Sequence, residues 1–359
     1  MTEYAVLYAV FIVLSLYTRY KGDDADRSLL KGVNTVCFLF TLTLLMLRHP
    51  TMGSDLSGVQ WVGYINFFYR VAGQSFSEAL FTARHFEFGF TLFVKLVSLI
   101  WKNHQFYLAV TAFVSLLPIS VLIGKKSRDP AFSWIVYTSL MTFMLLYSGL
   151  RQGMAVGAVA LAFIFAEEKR PVLYIMTGIV AFSFHFSAAL AFMIYPLSYL
   201  KIGKKWRTVT VIALPVVALL TRAIVKVASV HFPKYAYLFS GEDGGSYRYF
   251  LMLVALYIFC FVFSDGSDFQ NAYLNFFFVA CAFQMLGFFS QVAPRAGFYF
   301  VITLSVLITD VILKIEKRPI YVLAYAGGVV CFTLLAFYSI YTTDWAMAYP
   351  YHWFWEAIV

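Results

Sequence analysis

Two ionisable residues, Arg151 and His185, interrupt the long apolar stretches between residues 148 and 188. An ionisable side chain at membrane depth is costly, so each of the two is a candidate functional residue. Arginine offers parallel N–H donors that suit a phosphate or a carboxylate. Histidine can act as a base or relay a proton near neutral pH. The competing interpretation of His185 is a structural histidine satisfied by a neighbouring hydroxyl or carbonyl group.

Three arginines, Arg151, Arg248 and Arg295, fall in the first turn of predicted helices. A cation there opposes the helix dipole at a cost of about 0.3 to 1 kcal/mol, so a compensating anion is expected and removal of Arg151 should not lower stability. Free N–H groups at helix N-termini also bind phosphate. Together the three ends predict a clamp for a diphosphate. Alternatively, each arginine reaches lipid headgroups or pairs with an acid such as Glu242 or Asp243.

Two carboxylates belong to the same predicted outer region. Asp55 follows a glycine turn in the run RHPTMGSDLSG, and Glu87 precedes an apolar stretch. Either could deprotonate a substrate hydroxyl as a general base, although most loop aspartates are simply solvated. Tyr64 lies in an aromatic segment nearby, where it could stack on a sugar ring or rest in the membrane interface.

The composition defines the class of protein. Of the 359 residues, 62% are hydrophobic and only 13% are charged, which is too apolar for a soluble domain. We therefore predict an all-α, polytopic integral membrane protein with one domain, residues 1–359. The four cysteines lie in apolar runs without metal-ligand spacing, so we predict no disulfide, metal or cofactor. The net charge of +9 is assigned to cytoplasmic loop ends and membrane lipids, not to a nucleic-acid partner.

Apolar segments of spanning length predict about 10 to 12 transmembrane helices. Residues 86–101 are predicted to form an interfacial or re-entrant helix, and residues 171–200 two short helices that turn near His185. The segments predicted as full spans are 4–18, 29–47, 105–123, 131–149, 151–166, 207–225, 248–263, 270–290, 297–313 and 319–341.

The loop charges predict the orientation. Most of the 27 lysines and arginines fall in one set of alternate loops, which the positive-inside rule assigns to the cytoplasm. Both termini and the segments 48–86 and 226–247 then lie on the outer side, where the two segments would cover a cavity. Arg48 belongs to this outer set, in which arginine outnumbers lysine. The loops assigned to the cytoplasm are 19–31, 124–129, 167–170, 201–207, 264–269 and 314–318.

Several short motifs resemble those of a known family. The run LRQGMA at 150–155, FHFSA at 184–188, Arg48 followed by glycine and aspartate at 53–55, and SYRYF at 246–250 are similar to motifs of the EpsG-like branch of the Wzy-type polysaccharide polymerases. The likeness extends over residues 1–315. One position departs from the pattern, because Leu56 stands where the family tends to have tyrosine.

The resemblance implies a metal-independent glycosyltransferase, related to the GT-C-like lipid-linked enzymes. Such a protein joins oligosaccharide repeat units carried on undecaprenyl diphosphate, as donor and acceptor, at the outer (periplasmic) face of the bacterial inner membrane. A chain-length regulator is an implied partner. The motifs place Arg48, Arg151, Gln152 and Arg248 as substrate-binding residues and Asp55 and His185 as catalytic ones. The residue chemistry adds Arg295 and Tyr64 to the first group and Glu87 to the second.

Two other functions use similar chemistry. A flippase or transporter of the same lipid-linked sugar would also have cations around a cavity, but transporters usually contain two related halves, and the LRQ and FHFSA patterns each occur once. A polysaccharide ligase moves the finished glycan to another acceptor by nearly the same reaction. The sequence leaves the ligase open.

Overall fold

A computed structural model describes residues 1–22, 26–57, 63–82, 86–231, 246–288 and 293–357. Within these ranges the regular elements are helices, with no strand beyond an isolated bridge between Arg48 and Trp353. Glu242, Asp243 and most of the predicted outer segment 226–247 lie outside the described residues.

The α-helices are α1 (Thr2–Lys21), α2 (Arg27–Leu47), α3 (Ser54–Ser57), α4 (Tyr64–Gly73), α5 (Phe76–Thr82), α6 (Phe88–Ile100), α7 (His104–Lys126), α8 (Pro130–Ser139), α9 (Met141–Met144), α10 (Leu150–Glu167), α11 (Pro171–Phe184), α12 (Ile194–Tyr199), α13 (Lys204–His231), α14 (Ser246–Val262), α15 (Asp268–Met285), α16 (Phe298–Val301), α17 (Leu304–Leu313) and α18 (Arg318–Thr342). Short 3₁₀ helices cover Phe186–Met193, Leu286–Phe288, Ala293–Gly297 and Asp344–Ala346.

Four helices in the described part of the chain, α2, α7, α10 and α18, are long and apolar enough to cross a membrane. A bent pair, Pro294–Val301 with Leu304–Leu313, raises the number to five if it counts as one span. Further apolar helices are shorter than a span. The prediction of an all-helical membrane protein is confirmed.

The predicted turn at His185 is confirmed. Helix α11 ends at Phe184, and His185 adopts an extended conformation (φ −154°, ψ 124°) before the next helical segment begins at Phe186. The short helix predicted for 86–101 is α6, of 13 residues. These two breaks bring polar backbone and side chains to one end of the bundle.

Two segments predicted as single spans, 131–149 and 297–313, are each broken in the structure. The first breaks at Leu140 and the second between Val301 and Leu304. Hydroxyl groups beside each break donate to backbone carbonyls, Ser139 to Val136 and Ser305 to Ile302. Such bonds compete with the helical ladder, and hydropathy does not record them.

The loops predicted to be cytoplasmic are tied together at one end of the molecule, which confirms that they share a side. Opposite charges from different loops meet within ion-pair distance, so each loop holds its neighbours in place. The pairs between loops are Arg19–Asp129 at 3.3 Å, Lys126–Glu167 at 2.8 Å, Lys201–Asp268 at 3.0 Å and Lys314–Asp265 at 2.8 Å. Asp310 near the end of α17 links the two groups of loops, because it pairs with Arg128 at 3.5 Å and with Lys314 at 3.0 Å.

The opposite end is closed by the two chain ends and by part of segment 48–86, which is predicted to lie on the outer side. Tyr4 donates to the carbonyl of Ala348 at 2.8 Å, and the N–H of His49 donates to the carbonyl of His352 at 2.8 Å. Helices α4, α5 and α6 form a separate apolar cluster that packs on the start of α10 through Leu150. This end carries Asp55, Arg151 and His185.

Candidate functional site

Arg151 lies at the start of α10, facing the cluster of α4 and α6. Its Nη1 donates to Oε2 of Glu87 at 2.5 Å, and its Nε donates to the hydroxyl of Tyr64 at 3.3 Å. The guanidinium group also lies over the ring of Phe86, 4.3 Å from the centroid. The anion expected beside Arg151 is therefore present, and it is a carboxylate of the same chain.

Glu87 links three elements of the site. Besides binding Arg151, it accepts a hydrogen bond from the N–H of Phe186 at 3.1 Å, directly after His185. Burial raises the pKa of Glu87, but the nearby Arg151 charge and the hydrogen bonds outweigh it, so the pKa lies below the usual glutamate value. A carboxylate that is ionised and doubly bound is a weak base, and Glu87 is better suited to holding Arg151 and the His185 turn in place.

His185 binds its neighbours through Nδ1 alone. This nitrogen accepts from the N–H of Ser187 at 3.3 Å and lies 2.8 Å from the Ser187 hydroxyl and 3.4 Å from that of Tyr299. A backbone N–H can only donate, so Nδ1 carries no proton and neutral His185 carries it on Nε2. Burial lowers the pKa of His185, Glu87 raises it, and Arg151 and Arg295 lower it, with a net fall. The imidazole is thus a neutral hydrogen-bond donor through Nε2, which binds none of the described residues.

Asp55 is positioned by the turn before it and by the loop that precedes α10. Gly53 has φ +122°, and a Cβ there would overlap the carbonyl of Tyr147, so the turn requires glycine. The N–H of Asp55 donates to Oγ of Ser148 at 3.2 Å, three residues before Arg151. The predicted glycine turn therefore brings Asp55 to the Arg151 site.

The carboxylate of Asp55 is available for chemistry. Its Oδ1 accepts one long hydrogen bond from Ser54, at 3.3 Å, and it forms no ion pair with a described residue. Burial raises the pKa of Asp55. Arg295, the hydroxyls of two serines and Arg151 each lower it, but burial outweighs them and the pKa lies above the usual aspartate value. Of the site carboxylates, Asp55 is the one whose pKa is shifted towards proton uptake, as a general base requires.

Arg295 lies near Asp55, on a 3₁₀ turn whose backbone is held by hydrogen bonds from other residues. Gln152 donates to the carbonyl of Arg295 at 2.7 Å, so the glutamine of the LRQ motif binds the protein backbone in this structure. The Arg295 guanidinium stacks on Trp345, 5.7 Å from the ring centroid, and the Trp345 carbonyl accepts from Ser54 at 2.8 Å. These bonds tie Arg295 to the Asp55 loop.

The other two predicted arginines occupy different surroundings. Arg248 is exposed on α14 and lines a cavity of about 460 Å³ whose wall includes Trp345, the residue that contacts Arg295. Arg48 is 1% exposed; its Nη1 donates to the carbonyl of Leu146 at 2.5 Å and its guanidinium lies 5.2 Å from the centroid of the Tyr147 ring. Arg48 thus supports the loop before α10, and its predicted contact with substrate stays a prediction.

Tyr299, Ser187 and Trp345 are site residues that the sequence reasoning missed. The hydroxyls of Ser187 and Tyr299 lie 2.9 Å apart and both face Nδ1 of His185. Ser187 could have been found, because a serine two residues after a histidine can bond back to it within the FHFSA run. Tyr299 and Trp345 are remote in sequence, and no spacing indicates them.

The described residues contain no group of three or more His, Cys, Asp or Glu side chains arranged to hold a metal ion. The charges of the site are instead arginines and carboxylates at one end of a helical bundle. Polar groups converge there from the loop that contains Asp55, the His185 turn and the starts of two helices.

Fold and site together define a multi-helix membrane protein with an arginine-rich, carboxylate-containing site opposite its lysine-rich loops. The sequence model of the EpsG family matches residues 31–353, and the chain belongs to the EpsG family. That match includes all the candidate site residues. No curated protein and no solved structure matches the chain.

Proposed function

We propose that this protein polymerises oligosaccharide repeat units linked to undecaprenyl diphosphate, at the outer face of the bacterial inner membrane. Membership of the EpsG family supports a polysaccharide polymerase. The observation that carries the reaction is Asp55, a carboxylate without an ion-pair partner among the described residues, whose pKa is raised by burial beside Arg295 and Arg151. The Asp55 carboxylate suits a general base, and the Arg295 guanidinium suits an anionic leaving group.

In this reaction Asp55 takes the proton from a hydroxyl of the acceptor sugar. The oxygen then forms a bond to the anomeric carbon of the donor, while the bond from that carbon to the lipid diphosphate breaks. The diphosphate leaves with the electron pair, and Arg295 and Arg248 neutralise its charge, as preorganised cations do in transition states. The proton on Asp55 passes to water and restores the carboxylate.

The Arg151, Glu87 and His185 group belongs to the sugar side of the proposed reaction. Ionised Glu87 holds the Arg151 guanidinium and the turn at Phe186 in one geometry. The Nε2–H of His185 donates to a sugar oxygen. Tyr64 is only 2% exposed and its hydroxyl accepts from Arg151, so it positions that guanidinium group and does not stack on a sugar ring as predicted. The proposal includes a topology of about 10 to 12 crossings with a GT-C-like arrangement. It also includes outer segments 48–86 and 226–247 over the cavity and a chain-length regulator as partner.

The test uses purified protein in liposomes with lipid-linked repeat units as the sole sugar. A polymerase converts single units into a ladder of longer lipid-linked products, and Asp55→Asn should do so at least about 10²-fold more slowly. A flippase would move units across the bilayer without joining them. A ligase would need a different acceptor and would leave the units single. Either of these last results would overturn the proposal.

A further inference from the structure

An apolar groove runs between α14, α17 and α18, with a volume of about 550 Å³. Along α18 it extends from Ala324 to Tyr338, which is about 21 Å at the rise of an α-helix. Most of the side chains that line it are aliphatic or aromatic, including Leu256, Ile312 and Leu335. The groove therefore lies along the bundle where a hydrocarbon chain could follow it.

This groove continues into the cavity that contains Arg248. The two share Met252, Leu335 and Tyr338, and the second cavity adds Trp345 to its wall. Trp345 also contacts the Arg295 guanidinium, which lies 5.7 Å from the ring centroid, and Asp344 is a further lining residue of the second cavity. The apolar groove thus leads to Arg248 and to a ring that contacts Arg295.

We propose that the groove binds the polyprenyl chain of the donor lipid diphosphate. The inference rests on the proposed function and names where its lipid lies. The arginines near the end of the groove favour the donor lipid over the acceptor lipid. Arg151 is already paired with Glu87, whereas Arg295 forms no ion pair with a described residue and can bind the departing diphosphate. A chain held in the groove would place its diphosphate between Arg248 and Arg295, within reach of the Asp55 loop.

Gly327 offers a way to close the groove without disturbing the protein. A Cβ built at Gly327 meets no atom within 4 Å, so a leucine there would project into the groove. Gly32 on α2 is a matched control, since its Cβ also meets nothing and it does not line the groove. Gly328 is unsuitable, because a Cβ there would press on the ring of Phe132.

Cys331 provides a native reporter inside the groove. It is the exposed one of the four cysteines, while Cys37, Cys260 and Cys281 are buried. A benzophenone maleimide on Cys331, in purified protein in phosphatidylethanolamine and phosphatidylglycerol nanodiscs, should crosslink to added undecaprenyl diphosphate on illumination. Mass spectrometry of the Cys331 peptide identifies the adduct.

Binding of undecaprenyl diphosphate is then measured directly. Gly327→Leu should weaken it at least about tenfold, since the leucine displaces several methylene groups of the lipid. Gly32→Leu should bind like wild type, and binding of inorganic pyrophosphate should not respond to either change. Cys331→Trp, at an exposed position, repeats the test in case Gly327→Leu does not fold.

The inference is overturned if the folded Gly327→Leu and Cys331→Trp variants bind the lipid like wild type. Crosslinks that form only with bulk phospholipid, or with Cys331 of a second copy, would also overturn it. The test is separate from that of the proposed function. If the wild-type protein binds the lipid in this way but joins no sugars, the lipid-binding role of the groove stands and the proposed polymerase activity is refuted.

Discussion

Nη1 of Arg151 lies 2.5 Å from Oε2 of Glu87, and both side chains are 21% exposed. The pair joins the first turn of α10 to the residue that precedes α6. Because Glu87 also accepts from the N–H of Phe186, the same carboxylate holds the turn that contains His185. A cation at a helix N-terminus is therefore compensated within the chain, before any substrate binds.

This pair reverses the stability expected from the helix dipole alone. Arg151→Ala should lower the free energy of unfolding by about 2 kcal/mol, because it leaves the half-buried Glu87 carboxylate without its partner. Thermal unfolding in detergent without lipid measures the change. Arg151→Ala combined with Glu87→Gln should recover part of the loss, and Arg295→Ala, which breaks no ion pair with a described residue, is the control. Strictly additive losses would show that the two side chains are not coupled.

Asp55→Asn should lower the joining rate by at least about 10²-fold, the contribution expected of a general base. The stability of this variant should not fall with its rate. A carboxyl whose pKa is raised in the folded state costs stability once the pH exceeds its unfolded pKa, so at neutral pH the variant should be at least as stable as wild type. Rate and thermal midpoint are measured on one preparation, with Asp268→Asn, an exposed position at the lysine-rich end, as control. Wild-type rate in Asp55→Asn would remove Asp55 from the mechanism.

The raised pKa of Asp55 also sets the acidic limb of the pH profile. The joining rate should rise with pH through a midpoint above the ordinary aspartate value of about 3.9, since only the ionised carboxylate accepts a proton. Glu87, whose pKa is lowered, titrates below this limb. The limb should persist in His185→Gln and vanish from the residual activity of Asp55→Asn. A limb that instead moves with His185→Gln would identify the histidine as the base.

His185 is expected to act as a hydrogen-bond donor through Nε2–H. His185→Gln keeps an N–H donor of similar reach, so it should retain more joining activity than His185→Ala, by about 10-fold or more. Both variants are assayed at saturating substrate and matched protein level. A general base at this position would make the two variants equally inactive, because the glutamine amide cannot take up a proton.

The orientation can be tested by adding one cysteine at a time to a Cys331→Ser background, in which Cys37, Cys260 and Cys281 are buried. Thr51→Cys lies on the exposed loop near the site, and Gly203→Cys lies in the loop of the lysine-rich end, where an added side chain meets no neighbour. An impermeant maleimide added to intact cells should label the first and spare the second. Labelling of Gly203→Cys from outside would place the site on the cytoplasmic face.

Much of the architecture could be predicted from the sequence, because it depends on local properties. Hydropathy was enough to predict an all-helical membrane protein. The distribution of lysines was enough to predict which loops lie together, and ion pairs join these loops in the structure. The turn at His185 and the glycine turn before Asp55 were predictable as well, since φ/ψ preferences act over a few residues. The helical interruptions at Leu140 and after Val301 were not, because hydroxyl groups compete there with the backbone.

The sequence by itself determined which residue types are available to the site: arginines at helix starts, two carboxylates and a histidine among apolar residues. Only the tertiary structure decided their roles. It pairs Arg151 with Glu87, leaves Asp55 without an ion pair among the described residues, buries Arg48 behind the site and turns Gln152 to the Arg295 backbone. The reason is physical: the role of a charge depends on its burial and on the nearest opposite charge, and in this chain those neighbours lie tens of residues or more away in sequence.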